Sequence, residues 1–340
     1  MNKYILVLIA LLTVIAFALF KKLFRKSRIP SICGKHVLVT GGSSGIGKSV
    51  AVEAARRGAH VTIIARNIEK LRLAVEEIKK EAKCPESSFE LTYSPTFLVD
   101  VANESQLIEE KFNKIEEEVG PIFLLVNCAG RAIFGRLQDV KEEDYRYMMD
   151  LNFFGTIIPT LFLANKMKTR NEGHIVITGS QGSLIGIYGM GAYCSSKFAL
   201  RGFTESLYME LSPYNVSVTL CLPPDTKTPG FEIEEKSKPE VTKEISKAAG
   251  LFEPEVVARQ LLSDALNGNF FSVVGFESLI LTTLCSGMSP VSSLIEGILS
   301  ISLMSFLKFI SLGYLYHFNR IISNHEKFPV RKMACVDKEE

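Results

Sequence analysis

A chain of 340 residues with a formal net charge of +2 has room for one large domain plus membrane elements, and it lacks the basic excess of a nucleic-acid binder. Its seven cysteines, Cys33, Cys84, Cys128, Cys194, Cys221, Cys285 and Cys335, are odd in number, scattered and without a C-x-x-C pair. Together with five separated histidines they argue against a disulfide scaffold and a zinc site, so no metal is expected.

The chain begins with Tyr4 to Phe20, an uncharged run of 17 residues. As a helix it spans about 25 Å at roughly 1.5 Å per residue, slightly short of an endoplasmic-reticulum bilayer core of about 27 Å. Lys21, Lys22, Arg25, Lys26 and Arg28 follow it and only Lys3 precedes it. The positive-inside rule then puts the N-terminus in the lumen and the remainder in the cytosol. Ala16-Phe17-Ala18 resembles a cleavage site, which is the rival reading as a signal peptide; the basic cluster downstream favours an uncleaved anchor. The organisation expected is a transmembrane anchor over 1–21, a basic linker over 22–34, a catalytic domain over 35–276, an apolar membrane-associated region over 277–320 and a polar tail over 321–340.

From Lys35 onward, short β-branched runs alternate with helical stretches. This predicts a Rossmann-type, doubly wound α/β domain with a parallel sheet of about seven strands and crossover helices. The strands fall at 36–40, 61–65, 96–99, 122–126, 174–178, 216–221 and 271–274, with helices between them, for example over 68–83 and 104–119. Residues 231–250 break the alternation with a dense mix of charges and read as an exposed loop–helix segment. Residues 279–318 are apolar again but are interrupted by Pro290, Glu296 and Lys308. The charge-free part, 278–295, is rich in Ser and Thr and marginal for a spanning helix; interfacial helices or a re-entrant hairpin explain the interruptions.

Between the first strand and the first helix stands Thr40-Gly41-Gly42-Ser43-Ser44-Gly45-Ile46-Gly47. Glycines there let backbone approach a pyrophosphate, and the helix N-terminus offers free N–H groups and partial positive charge. A glycine-rich turn alone is a weak signal, and its place in the alternation makes it a strong one. The second strand is followed by Arg66 and, a turn later, Lys70, where an NAD enzyme usually carries an acid. The plain reading is a solvated pair of cations. With no acid at the strand end, NADP(H) is expected, its 2′-phosphate paired with Arg66 and Lys70. Asp100 closes the third expected strand, where it borders an adenine or caps the next helix.

Tyr193 and Lys197 are spaced i, i+4 and share a helix face. A phenol with a reference pKa of about 10 is about 3 units from neutrality, roughly 4 kcal/mol and more than one exposed charge pair supplies. A lysine ammonium and a nicotinamide in a partly dry site together make up much of that gap. Ser180, thirteen residues before Tyr193, ends the fifth strand and can hold a substrate carbonyl.

Thr40–Gly47, Asn127-Cys128-Ala129-Gly130, Asn152, Ser180 and Tyr193-x-x-x-Lys197 together resemble the short-chain dehydrogenase/reductase family, in its order and spacing. The resemblance implies that Tyr193 is the acid/base, that Lys197 binds the ribose and lowers the tyrosine pKa, that Ser180 orients the carbonyl and that Asn152 keeps a proton-relay water. It implies cofactor contacts at Gly41, Ser43, Ser44, Gly45, Ile46, Gly47, Asp100, Val101, Asn127, Ala129, Gly130, Pro223, Thr226 and Thr228, besides Tyr193 and Lys197. It also allows a homodimer through the helices around Asn152 and Tyr193. Cys128 stands where the family usually has Asn, and Pro224 where most members have Gly. Val39–Gly47, Ala65-Arg66-Asn67, Pro223-Pro224-Asp225-Thr226-x-Thr228-Pro229-Gly230-Phe231 and Cys285-x-Gly287-Met288-x-Pro290-Val291 are similar to the branch of the family that reduces long-chain 3-ketosphingoid bases with NADPH. That branch implies an endoplasmic-reticulum membrane enzyme of sphingolipid synthesis with a cytosolic catalytic domain. The alternatives are a membrane-bound retinol or steroid dehydrogenase of the same family, or a catalytically silent NADP(H)-binding protein; the filled catalytic positions argue against the latter. The sequons at Asn103 and Asn215 lie in the nucleotide domain, and a cytosolic domain leaves both without glycan.

Overall fold

A computed structural model describes residues 31–83, 89–93, 105–247 and 250–325. The expected N-terminal anchor, the basic cluster through Arg28, and Asp100 with Val101 lie outside these residues. The sheet is built of β1 (His36–Thr40), β2 (His60–Ala65), β3 (Phe89–Tyr93), β4 (Ile122–Asn127), β5 (Gly173–Thr178), β6 (Val216–Leu222) and β7 (Phe271–Val273). All pairs are parallel, in the order β3-β2-β1-β4-β5-β6-β7. Every residue of β1, β4 and β6 is buried, the polar ones included, as expected when helices cover both faces of a parallel sheet. Six strands lie where the sequence pattern puts them. The third does not: Phe89–Tyr93 pairs with β2, whereas the stretch expected to do so, 96–99, lies outside the described residues.

One face is covered by α1 (Gly45–Arg56), α2 (Ile68–Glu81) and α9 (Pro254–Leu266). Ala51, Ala54 and Ala55 keep α1 slim enough to pack closely on Leu261 and Leu262 of α9. The other face is covered by α3 (Ser105–Val119), α4 (Glu142–Met148), α5 (Gly155–Arg170) and α6 (Gly191–Leu211), through Phe112, Leu163, Met167, Leu200 and Leu207. A π-helical turn, Met149–Phe154, joins α4 to α5 and carries Asn152. Because the chain builds outward from β1 through β2 to β3 and then returns to place β4 on the other side of β1, a crevice opens at the C-terminal ends of β1 and β4, where doubly wound sheets bind ligands.

The segment expected to be an exposed loop–helix is more ordered and more buried than its charge suggests. It forms α7 (Pro229–Ser237) and α8 (Glu240–Ser246), and α8 buries Val241 and Ile245 against Ile321. Beyond the sheet follow α10 (Phe276–Cys285) and α11 (Leu294–His325). α11 is one helix of 32 residues that continues through Lys308, so this charge does not interrupt it. Glu296, read from sequence as an interruption, caps the helix start: its Oε2 accepts from the Ser292 amide at 2.8 Å, while Ser293 Oγ accepts from the Glu296 amide at 3.2 Å. Among the described residues two helices are long and apolar enough to cross a membrane, Glu142–Arg170 and Glu296–His325. The first has half of its apolar window buried and is a core helix; the second has 6% buried. Arg201 of α6 ties the α10–α11 corner down, donating to Cys285 O at 2.8 Å, Ser286 O at 3.1 Å and Ser289 Oγ at 2.8 Å.

Candidate active site

A cavity of about 740 Å³ opens over the ends of β1 and β4. Its floor is the glycine-rich turn. Gly41 sits at φ +70° and a Cβ there would come within 2.8 Å of the Ala129 amide nitrogen; a Cβ on Gly47 would come within 2.5 Å of Gly41 O. The turn and the start of α1 therefore press together as only glycine permits. Ser44, the N-cap residue, makes no side-chain cap bond, so the first amides of α1 stay available to an anion. This shape fits a dinucleotide pyrophosphate. Arg66 and Lys70, both exposed, line the same cavity at the end of β2, where the adenosine half of such a ligand would lie.

At the other end stand Ser180, Tyr193 and Lys197. Ser180 leaves β5 in extended conformation, and its Oγ accepts from the Gly182 amide at 3.1 Å, which fixes the hydroxyl. The hydroxyl is hydrogen-bonded to the Tyr193 phenol. Burial pushes the phenol well above its ordinary range; the Ser180 bond acts in the opposite direction and Glu234 and Asp225 add to the rise. Lys197 is 5% exposed, and burial lowers it to about 8. Its Nζ donates to Thr178 O at 2.8 Å and lies 5.7 Å from the Tyr193 ring centroid. Tyr193 thus holds its proton firmly, the form needed to protonate a ketone oxygen as it gains charge.

Asn152 is fully buried behind this pair. Its Oδ1 accepts from the Arg131 amide at 3.0 Å, and its Nδ2 donates to Arg131 O and Ser196 Oγ, each at 2.9 Å. Gly130 makes room for it: a Cβ there would meet Asn152 Oδ1 at 3.0 Å and Lys197 Nζ at 3.7 Å. In this structure Asn152 clamps the loop after β4 to the catalytic helix. Asn127 is also set back from the cavity, donating to Thr160 Oγ1 at 3.0 Å. The other expected cofactor residues, including Ala129, Pro223, Thr226 and Thr228, line the cavity. Cys128 lines it as well, its thiol 3.4 Å from Thr178 Oγ1 and pushed up to about 11 by burial, hence neutral beside Lys197.

Two further groups of residues, which the sequence marked only by region and not as individual site residues, line the cavity. Glu234 and Lys238 belong to the 231–250 stretch, whose charges read as an exposed segment, and Asp225 stands in the Pro223–Phe231 motif just before it. Leu281, Leu284, Leu307, Ile310, Tyr314 and Phe318, from α10 and α11, wall an apolar arm that continues from the catalytic end of the cavity.

A tightly held phenolic proton beside a serine hydroxyl, at the mouth of a dinucleotide cleft, defines an oxidoreductase of ketone and secondary-alcohol groups. The model of the short chain dehydrogenase family matches residues 35–238, and the chain belongs to that family. It is 39% identical to 3-ketodihydrosphingosine reductase of Bos taurus, across 98% of this chain and 99% of the relative. It is 43% identical to 3-dehydrosphinganine reductase of Danio rerio, across 85% of this chain and 86% of the relative. The crystal structure of a short chain dehydrogenase/reductase from Burkholderia phymatum in complex with NAD shares the fold, with a TM-score of 0.64 at 23% identity over 75% of this chain and 93% of that one.

Proposed function

We propose that this enzyme reduces the C3 ketone of 3-ketosphinganine to sphinganine with NADPH, in sphingolipid synthesis at the endoplasmic-reticulum membrane, its catalytic domain on the cytosolic side. The observation that carries this is the single cavity that joins Ser180 and Tyr193 to the apolar arm under α10 and α11. A ketone beside a long alkyl tail matches both ends, and the names of the relatives point the same way. Bound NADPH supplies the hydride. Ser180 and Tyr193 hold the carbonyl oxygen, and Tyr193 gives up its proton as the alkoxide forms, so charge never builds on the oxygen. Lys197, still charged at neutral pH, steadies the tyrosinate that remains, and Asn152 ties the loop after β4 to Ser196, the residue before Lys197 on the catalytic helix. Arg66 and Lys70 take the 2′-phosphate. A tail of roughly 15 carbons favours a bilayer by about 12 kcal/mol, so an enzyme for this substrate has reason to sit there.

The test is NADPH and NADH consumption by membranes carrying the protein, offered 3-ketosphinganine, retinal and a ketosteroid separately. Turnover selective for 3-ketosphinganine with NADPH, and reduced about 10²–10⁴-fold in Tyr193→Phe, is expected. Turnover of retinal or steroid instead keeps the catalytic residues and discards the substrate; preference for NADH discards the role of Arg66 and Lys70.

A further inference from the structure

Beside the catalytic groups the cavity carries a carboxylate for which the reduction has no use. Glu234, on α7, lines the cavity together with Ser180, Tyr193 and Lys197, and its charge acts on both Tyr193 and Lys197. Its Oε1 accepts from the Ala132 amide at 2.8 Å, which brings α7 against the loop after β4. The acids near it have a cation in contact: Asp225 and Glu235 share Lys238 Nζ, at 3.3 and 2.9 Å, and Lys238 lies over the rings of Phe134 and Phe231. Among the described residues Glu234 enters no ion pair, since Arg131, Lys238 and Lys197 act on it only from a distance. Burial holds it above the usual carboxylate range, as expected of a carboxylate that has lost water and gained one backbone donor.

The geometry points to Glu234 as the recognition group for a primary ammonium on the carbon next to the reacting ketone. This rests on the substrate reading above: a 3-ketosphingoid base carries its amino group at C2, one bond from the carbonyl that Ser180 and Tyr193 hold. A charge-assisted N–H···O bond from that ammonium completes the charge balance of Glu234. A steroid ketone or retinal, with no cation to offer, leaves the half-buried carboxylate without a counter-ion, a cost that the amine-bearing substrate does not incur.

The experiment compares kcat and KM for 3-ketosphinganine and for 1-hydroxyoctadecan-3-one, the same chain without the amine, in wild type and Glu234→Gln. The glutamine keeps the shape and the acceptor for the Ala132 amide and loses only the charge. Wild type is expected to favour the amine by about tenfold or more in kcat/KM, equivalent to about 1.4 kcal/mol. In Glu234→Gln that preference disappears through a raised KM for the amine substrate, while the amine-free ketone and NADPH keep their KM. A wild type that turns over both ketones equally overturns the proposal without any variant. So does a Glu234→Gln enzyme that keeps the preference or loses both substrates alike, as a mere latch on Ala132 would. No turnover of 3-ketosphinganine by wild type sinks the substrate reading, and the ammonium site with it.

Discussion

Burial acts on Tyr193 and Lys197 in opposite directions, raising the phenol and lowering the ammonium to about 8. At neutral pH both keep their protons, and the lysine is the first to lose one as pH rises. Reduction that needs the charged lysine therefore falls with a one-proton slope above about pH 8, while Tyr193 stays protonated throughout. Lys197→Arg, whose guanidinium does not titrate in this range, moves that limb to higher pH at a lower absolute rate. A pH profile of kcat/KM that stays flat to pH 10 in wild type counts against this assignment. The spacing of Tyr193 and Lys197 was enough to find the pair, because i, i+4 residues share a helix face. What the spacing could not reveal is that the ammonium would bond to Thr178 O and that desolvation would lead among the influences on the phenol. Glu234 was illegible for a similar reason: its burial depends on Ala132, 102 residues away.

At the scale of elements, the glycine-rich turn holds β1, α1 and the loop after β4 at their closest approach. Gly41→Ala puts a Cβ into the Ala129 backbone at a positive φ and is expected to cost about 1–3 kcal/mol. It should both lower the thermal midpoint and weaken NADPH binding, read by thermal shift with and without nucleotide; loss of binding with unchanged apo stability would contradict the packing argument. The central strands were legible because they are rich in β-branched and other apolar residues, and β4, covered on both faces, carries an apolar run of five. β3 was not. Phe89–Tyr93 alternates apolar and polar residues, whereas 96–99 is an unbroken run of the kind that marks a central strand, and the pairing Val61↔Phe89 leaves no local trace. The C-terminal region misled through its charges. Counting Glu296 and Lys308 as breaks overlooked that one caps the helix and the other is an exposed cation on a long stem.

For the molecule as a whole, the C-terminal helices belong to the site as much as the sheet does. Leu307 is 6% exposed and lines the cavity, while Ile301 and Phe309 of the same helix are 78% and 76% exposed. Ile310→Trp should fill part of the apolar arm. Its expected effect grows with tail length: the rate falls for an 18-carbon ketobase and is nearly unchanged for one of about 8 carbons, since each buried CH₂ carries about 0.8 kcal/mol. Equal losses for both chain lengths would place the tail elsewhere. On the membrane reading proposed above, α11 walls the cavity with one side and turns apolar side chains to the bilayer with the other, so the quantity expected to set turnover is the mole fraction of substrate in a two-dimensional film, not its molarity in the surrounding water. Diluting that film with inert phospholipid, with enzyme and total substrate held constant, should therefore slow the reaction in proportion, as though substrate had been removed.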